Sequence, residues 1–161
     1  MWYTRGMKQA ETLVELLKAR GMTCASAESC TGGGIGSAIT AVPGSSAVYL
    51  GGVISYANAV KAGVLGVPEA TLATVGAVSP ETAAAMAAGA RALLKADLAV
   101  SVTGIAGPDG GTPEKPVGLV WFGLASAAGV RTEKALFAGN RAEVRAQAVL
   151  HALGMLTTGA L

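Results

Sequence analysis

The chain reads as a single layered α/β domain over residues 1–161, with a mixed, partly parallel sheet flanked by helices. Three observations predict this. Helical and extended patterns alternate through the first two thirds, as strands joined by helical crossovers do. Two extended runs near the end are joined by Ala127-Ala128-Gly129, which has the form of an antiparallel hairpin, so the sheet is not wholly parallel. The length suffices for one core and not for two. With 52% hydrophobic and only 4% aromatic residues, that core is made of Ala, Val, Leu and Gly, and its elements must approach closely.

The elements follow in order. A first helix is expected over Arg5 to Arg20, where Leu13, Leu16 and Leu17 form an apolar stripe against Lys8, Glu11, Glu15 and Lys18, and Gly21 supplies the stop. Thr23 to Ala27 extends as a short buried strand. The chain then turns through Glu28-Ser29-Cys30-Thr31 and a run of three glycines into a helix marked by Ile35, Ala38 and Ile39, ending near Pro43-Gly44. Val48 to Tyr56 is the next strand, with Gly51-Gly52 marking a bulge or a close approach. Asn58 to Leu65 forms a short helix carrying Lys61. Ser79-Pro80-Glu81 opens another helix, with a capping hydroxyl, proline at the first position and an acid at the positive end; it runs to about Lys95. Asp97 to Thr103 is a strand leading into the loop Gly104 to Gly111. Val117 to Ser126 and Val130 to Phe137 make the hairpin. Asn140, with Glu143 three residues on, opens the last helix as a capping box.

Composition excludes several classes. The net charge is +2, and the twelve basic residues are dispersed from Arg5 to Arg145, which is no nucleic-acid footprint. Mean hydropathy is +0.51 and no charge occurs from Ser29 to Val60, but glycine runs and Pro43 break that stretch, so no membrane span is expected. The first residues run straight into a charged amphipathic pattern, and a cytoplasmic protein is expected. Cys24 and Cys30 are expected as free thiols. With His151 the lone histidine and only two cysteines, neither a Ser-His-Asp triad nor a metal set can be assembled, and His151 reads as a packed or solvent-edge helix residue. No cofactor motif is met: no glycine-lysine pair follows Gly32, and Ser37 stands where a dinucleotide fingerprint needs glycine or alanine.

What remains is Ser29. A serine in a strand-to-helix turn, with a glycine-rich helix start behind it, sets a nucleophile beside N–H groups able to hold a phosphate or a developing oxyanion. Its base would be a lysine or tyrosine, and Lys61 follows Tyr56 by five positions as the first charge after Glu28. The pattern leaves two roles for Lys61, a surface cation or a catalytic amine, and two for Ser29, a helix cap or a nucleophile. Cys30 is a rival nucleophile without a histidine partner. Arg141 and Arg145, one helical turn apart, form either a phosphate clamp or a solvated basic edge. If the strands before Ser29 and after Asp97 are parallel, the Ser29 turn and the Thr103 loop meet on one sheet edge.

These residues carry a resemblance. Ala27-Glu28-Ser29-Cys30-Thr31-Gly32-Gly33, Val42-Pro43-Gly44-Ser45-Ser46, Gly51-Gly52-Val53-Ile54-Ser55-Tyr56-Ala57-Asn58 with Lys61, Gly76-Ala77-Val78-Ser79, Thr103-Gly104-Ile105-Ala106-Gly107-Pro108 and Lys115-Pro116-Val117-Gly118 together resemble the CinA C-terminal domain family over nearly the whole chain. The resemblance implies an amidohydrolase that converts nicotinamide mononucleotide and water to nicotinate mononucleotide and ammonia, and it favours a homodimer. It implies Ser29 as nucleophile, with Tyr56 and Lys61 assisting activation and proton transfer. Beside it, the residue reading assigns the oxyanion to amides near Cys30, Thr31, Gly32 and Gly33, and ribose and phosphate to Thr103, Gly104, Ala106 and Gly107 with Arg145. The alternative is a non-catalytic nucleotide-binding or interaction module. Family members commonly carry Gly-Asp-Arg before the last helix; here Gly139-Asn140-Arg141 keeps a cap and removes a carboxylate. The pyrophosphatase activity associated with the larger amino-terminal domain of full-length relatives is not carried over.

Overall fold

The computed structural model describes residues 1–161. Eleven elements run in the order α1 (Trp2–Arg20), β1 (Cys24–Glu28), α2 (Gly34–Thr40), β2 (Tyr49–Ile54), α3 (Asn58–Gly63), α4 (Glu69–Thr74), α5 (Pro80–Leu94), β3 (Leu98–Gly104), β4 (Leu119–Ser126), β5 (Gly129–Leu136) and α6 (Arg141–Ala160). The sheet order is β2-β1-β3-β4-β5. Strand β1 is parallel to both neighbours, while β4 and β5 are antiparallel additions, which is the mixed sheet expected. In this register Glu28 lies between Ile54 and Val102, so β1, β2 and β3 end together on one edge.

Helices cover both faces. On one, α1, α2 and α6 enclose a core that includes Leu13, Leu17, Ile35, Ile39, Val100, Phe122, Leu153 and Leu156. On the other, α5 and the segment after α3 bury Ala25, Ala27, Leu65, Val67, Met86 and Ala90. That second layer is thin because glycine permits it. A methyl group on Gly123 would meet the Ala83 carbonyl and Ser101 Oγ, and one on Gly89 would run into the Leu65 backbone. The small-residue composition thus sets the spacing between α5 and the sheet.

Caps behave as the sequence indicates. Ser79 Oγ accepts from the Thr82 N–H, and Pro80 opens α5. Asn140 and Glu143 form the capping box of α6. Gly21 closes α1 in the left-handed region. Some boundaries differ. Helix α1 begins at Trp2, and α2 stops at Thr40, with one 3₁₀ turn over Ser45–Ala47 before β2. Strand β2 ends at Ile54, so Ser55 and Tyr56 leave the sheet. Helix α4 has no counterpart in the sequence reading; its six residues are too few to establish a period. Both glycine options at β2 occur: the register shifts where Cys24 and Ala25 face Tyr49 and Gly51, and Gly52 packs directly on Ser26.

Candidate active site

The edge where β1, β2 and β3 end carries the candidate groups. The Ser29 N–H donates to the Val102 carbonyl at 2.9 Å and the Ser55 N–H donates to the Glu28 carbonyl at 2.8 Å, so the chain leaving each strand is still pinned to its neighbour. Helix α3 then returns Lys61 into the gap. This lysine is 1% exposed. Its Nζ lies 2.9 Å from Ser29 Oγ, 2.7 Å from the Ser55 carbonyl and 3.0 Å from the Tyr56 carbonyl. Burial pushes its pKa down from the ordinary lysine value, because a desolvated ammonium is disfavoured.

The three contacts have a chemical meaning. An ammonium has three N–H donors and can serve all three oxygens. A neutral amine has two, which the fixed carbonyls of Ser55 and Tyr56 take, leaving its lone pair directed at Ser29 Oγ. Loss of one proton therefore reverses the Lys61–Ser29 hydrogen bond and turns Lys61 into an acceptor for the serine proton. The arrangement is that of a Ser-Lys pair.

Helix α2 does not offer its first amides as the sequence suggested. The Glu28 carboxylate occupies them, accepting from the Ile35 N–H at 2.9 Å, the Gly36 N–H at 3.2 Å and the Thr31 hydroxyl at 2.7 Å. The unengaged amides lie earlier in the turn. The N–H groups of Thr31 and Gly33 have no backbone or side-chain acceptor and that of Cys30 has none beyond its own thiol, whereas those of Gly32 and Gly34 donate to the Ser29 and Thr31 carbonyls. Cys30 itself points into the core, and burial raises its thiol to about 11, so it is protonated at neutral pH and is not a competing nucleophile.

The remaining candidates fall into two groups. Arg145 donates Nε–H to the Cys30 carbonyl at 3.0 Å and an Nη2 proton to the Thr31 carbonyl at 3.2 Å, gripping the Ser29 turn from α6. Arg141, one turn earlier, donates to the Gly107 carbonyl at 2.9 Å and lies 3.4 Å from the Tyr56 hydroxyl. Tyr56 thus meets Lys61 through its carbonyl, while its side chain is 63% exposed. Ala106 and Gly107 are buried within the loop after β3, and Gly104 closes β3. Thr103 Oγ1 donates to the Ala77 carbonyl at 2.8 Å, bracing the end of β3 against the segment that leads into α5. His151 stands apart, stacked on Phe122 with centroids 4.2 Å apart and bonded to Glu133 at 2.9 Å. Two surface clefts of about 640 and 790 Å³ are lined by neither Ser29 nor Lys61, so hydrogen-bond geometry, not cavity size, marks this site. Sequence reasoning assigned nothing to Glu28 or Ser55. A buried carboxylate ending a strand is a signal for the first; the second acts through its backbone, which no side-chain pattern reveals.

The CinA C-terminal domain model matches residues 7–159. The chain belongs to the CinA C-terminal domain family. It is 50% identical over 151 residues to the nicotinamide-nucleotide amidohydrolase PncC of Escherichia coli K12, covering 93% of this chain and 92% of that protein. It is also 50% identical over 145 residues to a CinA-like protein of Geobacter metallireducens, covering 90% of this chain. The chain spans only about a third, 35%, of that longer relative. Among solved structures, the competence/damage inducible protein CihA of Agrobacterium tumefaciens superposes with a TM-score of 0.93 at 42% identity, covering 96% of this chain and 94% of that one. A CinA superfamily protein of Escherichia coli superposes at 0.91 with 34% identity, covering 95% and 90%. No helix of this family member is long and apolar enough to cross a membrane.

Proposed function

We propose that this chain is a nicotinamide mononucleotide amidohydrolase with Ser29 as nucleophile and Lys61 as its base. One observation carries the chemistry: a buried amine 2.9 Å from a serine oxygen, with its other two directions taken by carbonyls. The substrate class rests on the likeness to amidohydrolases of that name along nearly their whole length.

Neutral Lys61 takes the Ser29 proton as Oγ attacks the amide carbon. The amides of Cys30, Thr31 and Gly33 receive the negative charge that develops on the amide oxygen. Lys61 then passes its proton to the departing nitrogen, which leaves as ammonia. Water, deprotonated by the same amine, attacks the acyl-serine and releases nicotinate mononucleotide with Ser29 restored. Tyr56 assists through the carbonyl that orients Lys61, and its phenol faces Arg141 at the rim. Thr103, Gly104, Ala106 and Gly107 line the ribose and phosphate side, with Gly32 leaving room for the substrate. Arg145 reaches the phosphate with the N–H donors it does not spend on the turn, beside Arg141. The reaction needs no cofactor, and the enzyme works as a homodimer in the cytoplasm.

The test is ammonia release from nicotinamide mononucleotide by the purified protein and by folded Ser29→Ala. Turnover lost on that substitution is the expected result; activity surviving it refutes Ser29 as nucleophile. Binding without turnover in the wild type favours a non-catalytic nucleotide module.

A further inference from the structure

Glu28 is 2% exposed and has no cationic partner. A carboxylate placed there must have a compensating role or be strongly destabilising. Its oxygens are held by three donors, two from the first turn of α2 and one from the Thr31 hydroxyl. Its backbone carbonyl receives the Ser55 N–H, and Ser55 in turn supplies one of the two carbonyls on Lys61. Glu28 therefore contacts both halves of the site without meeting Ser29 Oγ or Lys61 Nζ.

Resting on the serine reading above, we propose that Glu28 is a positioning residue that pre-orients the oxyanion-binding amides through Thr31. Tethering the Thr31 side chain to α2 fixes the peptide planes on either side of that residue. One of those planes carries the unengaged Thr31 N–H, two residues beyond Ser29. Arg145 holds the carbonyl of the same peptide, that of Cys30, and so sets the opposite end of its dipole. Because the two groups of a trans peptide point in opposite directions, the guanidinium on the carbonyl and the carboxylate on the side chain together aim the N–H away from α6. Amides fixed in advance stabilise an oxyanion without reorganising during the reaction, whereas a turn free to rotate loses that advantage.

The experiment compares wild type, Glu28→Gln, Thr31→Val and Thr31→Ser for steady-state ammonia release and for the rate at which an alkyl fluorophosphonate labels Ser29, read by mass spectrometry. Near-UV circular dichroism establishes that each variant is folded. Gln keeps one acceptor oxygen for Thr31 and Ile35 but sets an NH2 group against the Gly36 N–H and removes the charge, loosening the tether, so Glu28→Gln is expected to lower kcat about ten- to a hundredfold, less than outright loss of an oxyanion donor can cost, with KM within twofold and labelling slowed by the same factor. Thr31→Val cuts the 2.7 Å contact while leaving Glu28 on the helix amides, and carries the same expectation should Glu28→Gln fail to fold. Thr31→Ser restores the hydroxyl and is expected to recover most of the rate. Unchanged kcat and labelling in folded Thr31→Val or Glu28→Gln overturn the proposal, as does a rise in KM alone. A wild type that turns over substrate without labelling at Ser29 overturns the serine reading itself, and the role of Glu28 with it.

Discussion

Replacing Lys61 with methionine removes the terminal nitrogen and keeps an unbranched side chain of similar bulk as far as Cε. Three hydrogen bonds disappear, to Ser29 Oγ and to the carbonyls of Ser55 and Tyr56. A positioned general base contributes about 10²- to 10⁴-fold, so kcat/KM is expected to fall by at least a hundredfold, about 3 kcal/mol or more. Stability changes less, for two opposing reasons. Buried groups left without a partner cost about 1–3 kcal/mol each, while the methionine no longer carries the desolvation cost of the amine. The pH dependence separates these effects. Because the folded pKa of Lys61 is lowered, the unfolded chain binds more protons between that value and the ordinary lysine value near 10.4. Wild-type stability therefore gains a rising component with pH across that window, and activity rises on the same ionisation; the methionine variant lacks both. The assays are ammonia release and thermal melts from pH 6 to pH 10. A folded Lys61→Met enzyme retaining activity within tenfold of wild type, or matching its pH slope in both assays, would rule out Lys61 as the base.

Cys30→Ala is expected to keep activity within a few-fold, and iodoacetamide at pH 8 is expected to leave Cys30 unmodified in the folded protein, because its thiol is buried and raised to about 11; both are read by intact-mass and activity measurements. Gly123→Ala should destabilise by about 1–3 kcal/mol, since the new methyl meets the Ala83 carbonyl and Ser101 Oγ, and should lower Tm by roughly 2–4 °C per kcal/mol in a calorimetric melt. Asn140→Ala removes the acceptor for the Glu143 N–H and should cost about 1 kcal/mol in denaturant unfolding, with Asn140→Asp near neutral. An unchanged midpoint for either substitution would contradict the contact on which it rests.

The layered α/β architecture was legible because its markers are local. Caps at Ser79 and Asn140, the left-handed stop at Gly21 and the hairpin after Ser126 each lie within a few residues of sequence. The meeting of the Ser29 turn with the Thr103 loop was also foreseeable once β1 and β3 were taken as parallel, and the register bears that out. The turn amides near Cys30 to Gly33 were a sequence expectation; that the first turn of α2 is already taken was not legible, because the Glu28 side chain reaches it from β1, returning across seven residues to Ile35. Nor does sequence reveal that Arg145 holds two carbonyls while Arg141 stands at the rim, because the two share a helical face and differ only in what the fold brings to them. Lys61 lay between: its spacing from Tyr56 raised the idea, and only the return of α3 gave it three fixed oxygens.

The parallel pairing of β1 with both neighbours has a kinetic consequence. Ser29 and Lys61 are 32 residues apart, and the partner strands β1 and β3 are separated by more than twice that length, so the site cannot form from local contacts. Closing such loops is slow relative to helix formation. During refolding, helical signal should return first and hydrolysis last, once β2, β1 and β3 are in register. Regained turnover would then be a stopwatch for parallel strand assembly, timing the step that circular dichroism of the helices passes over.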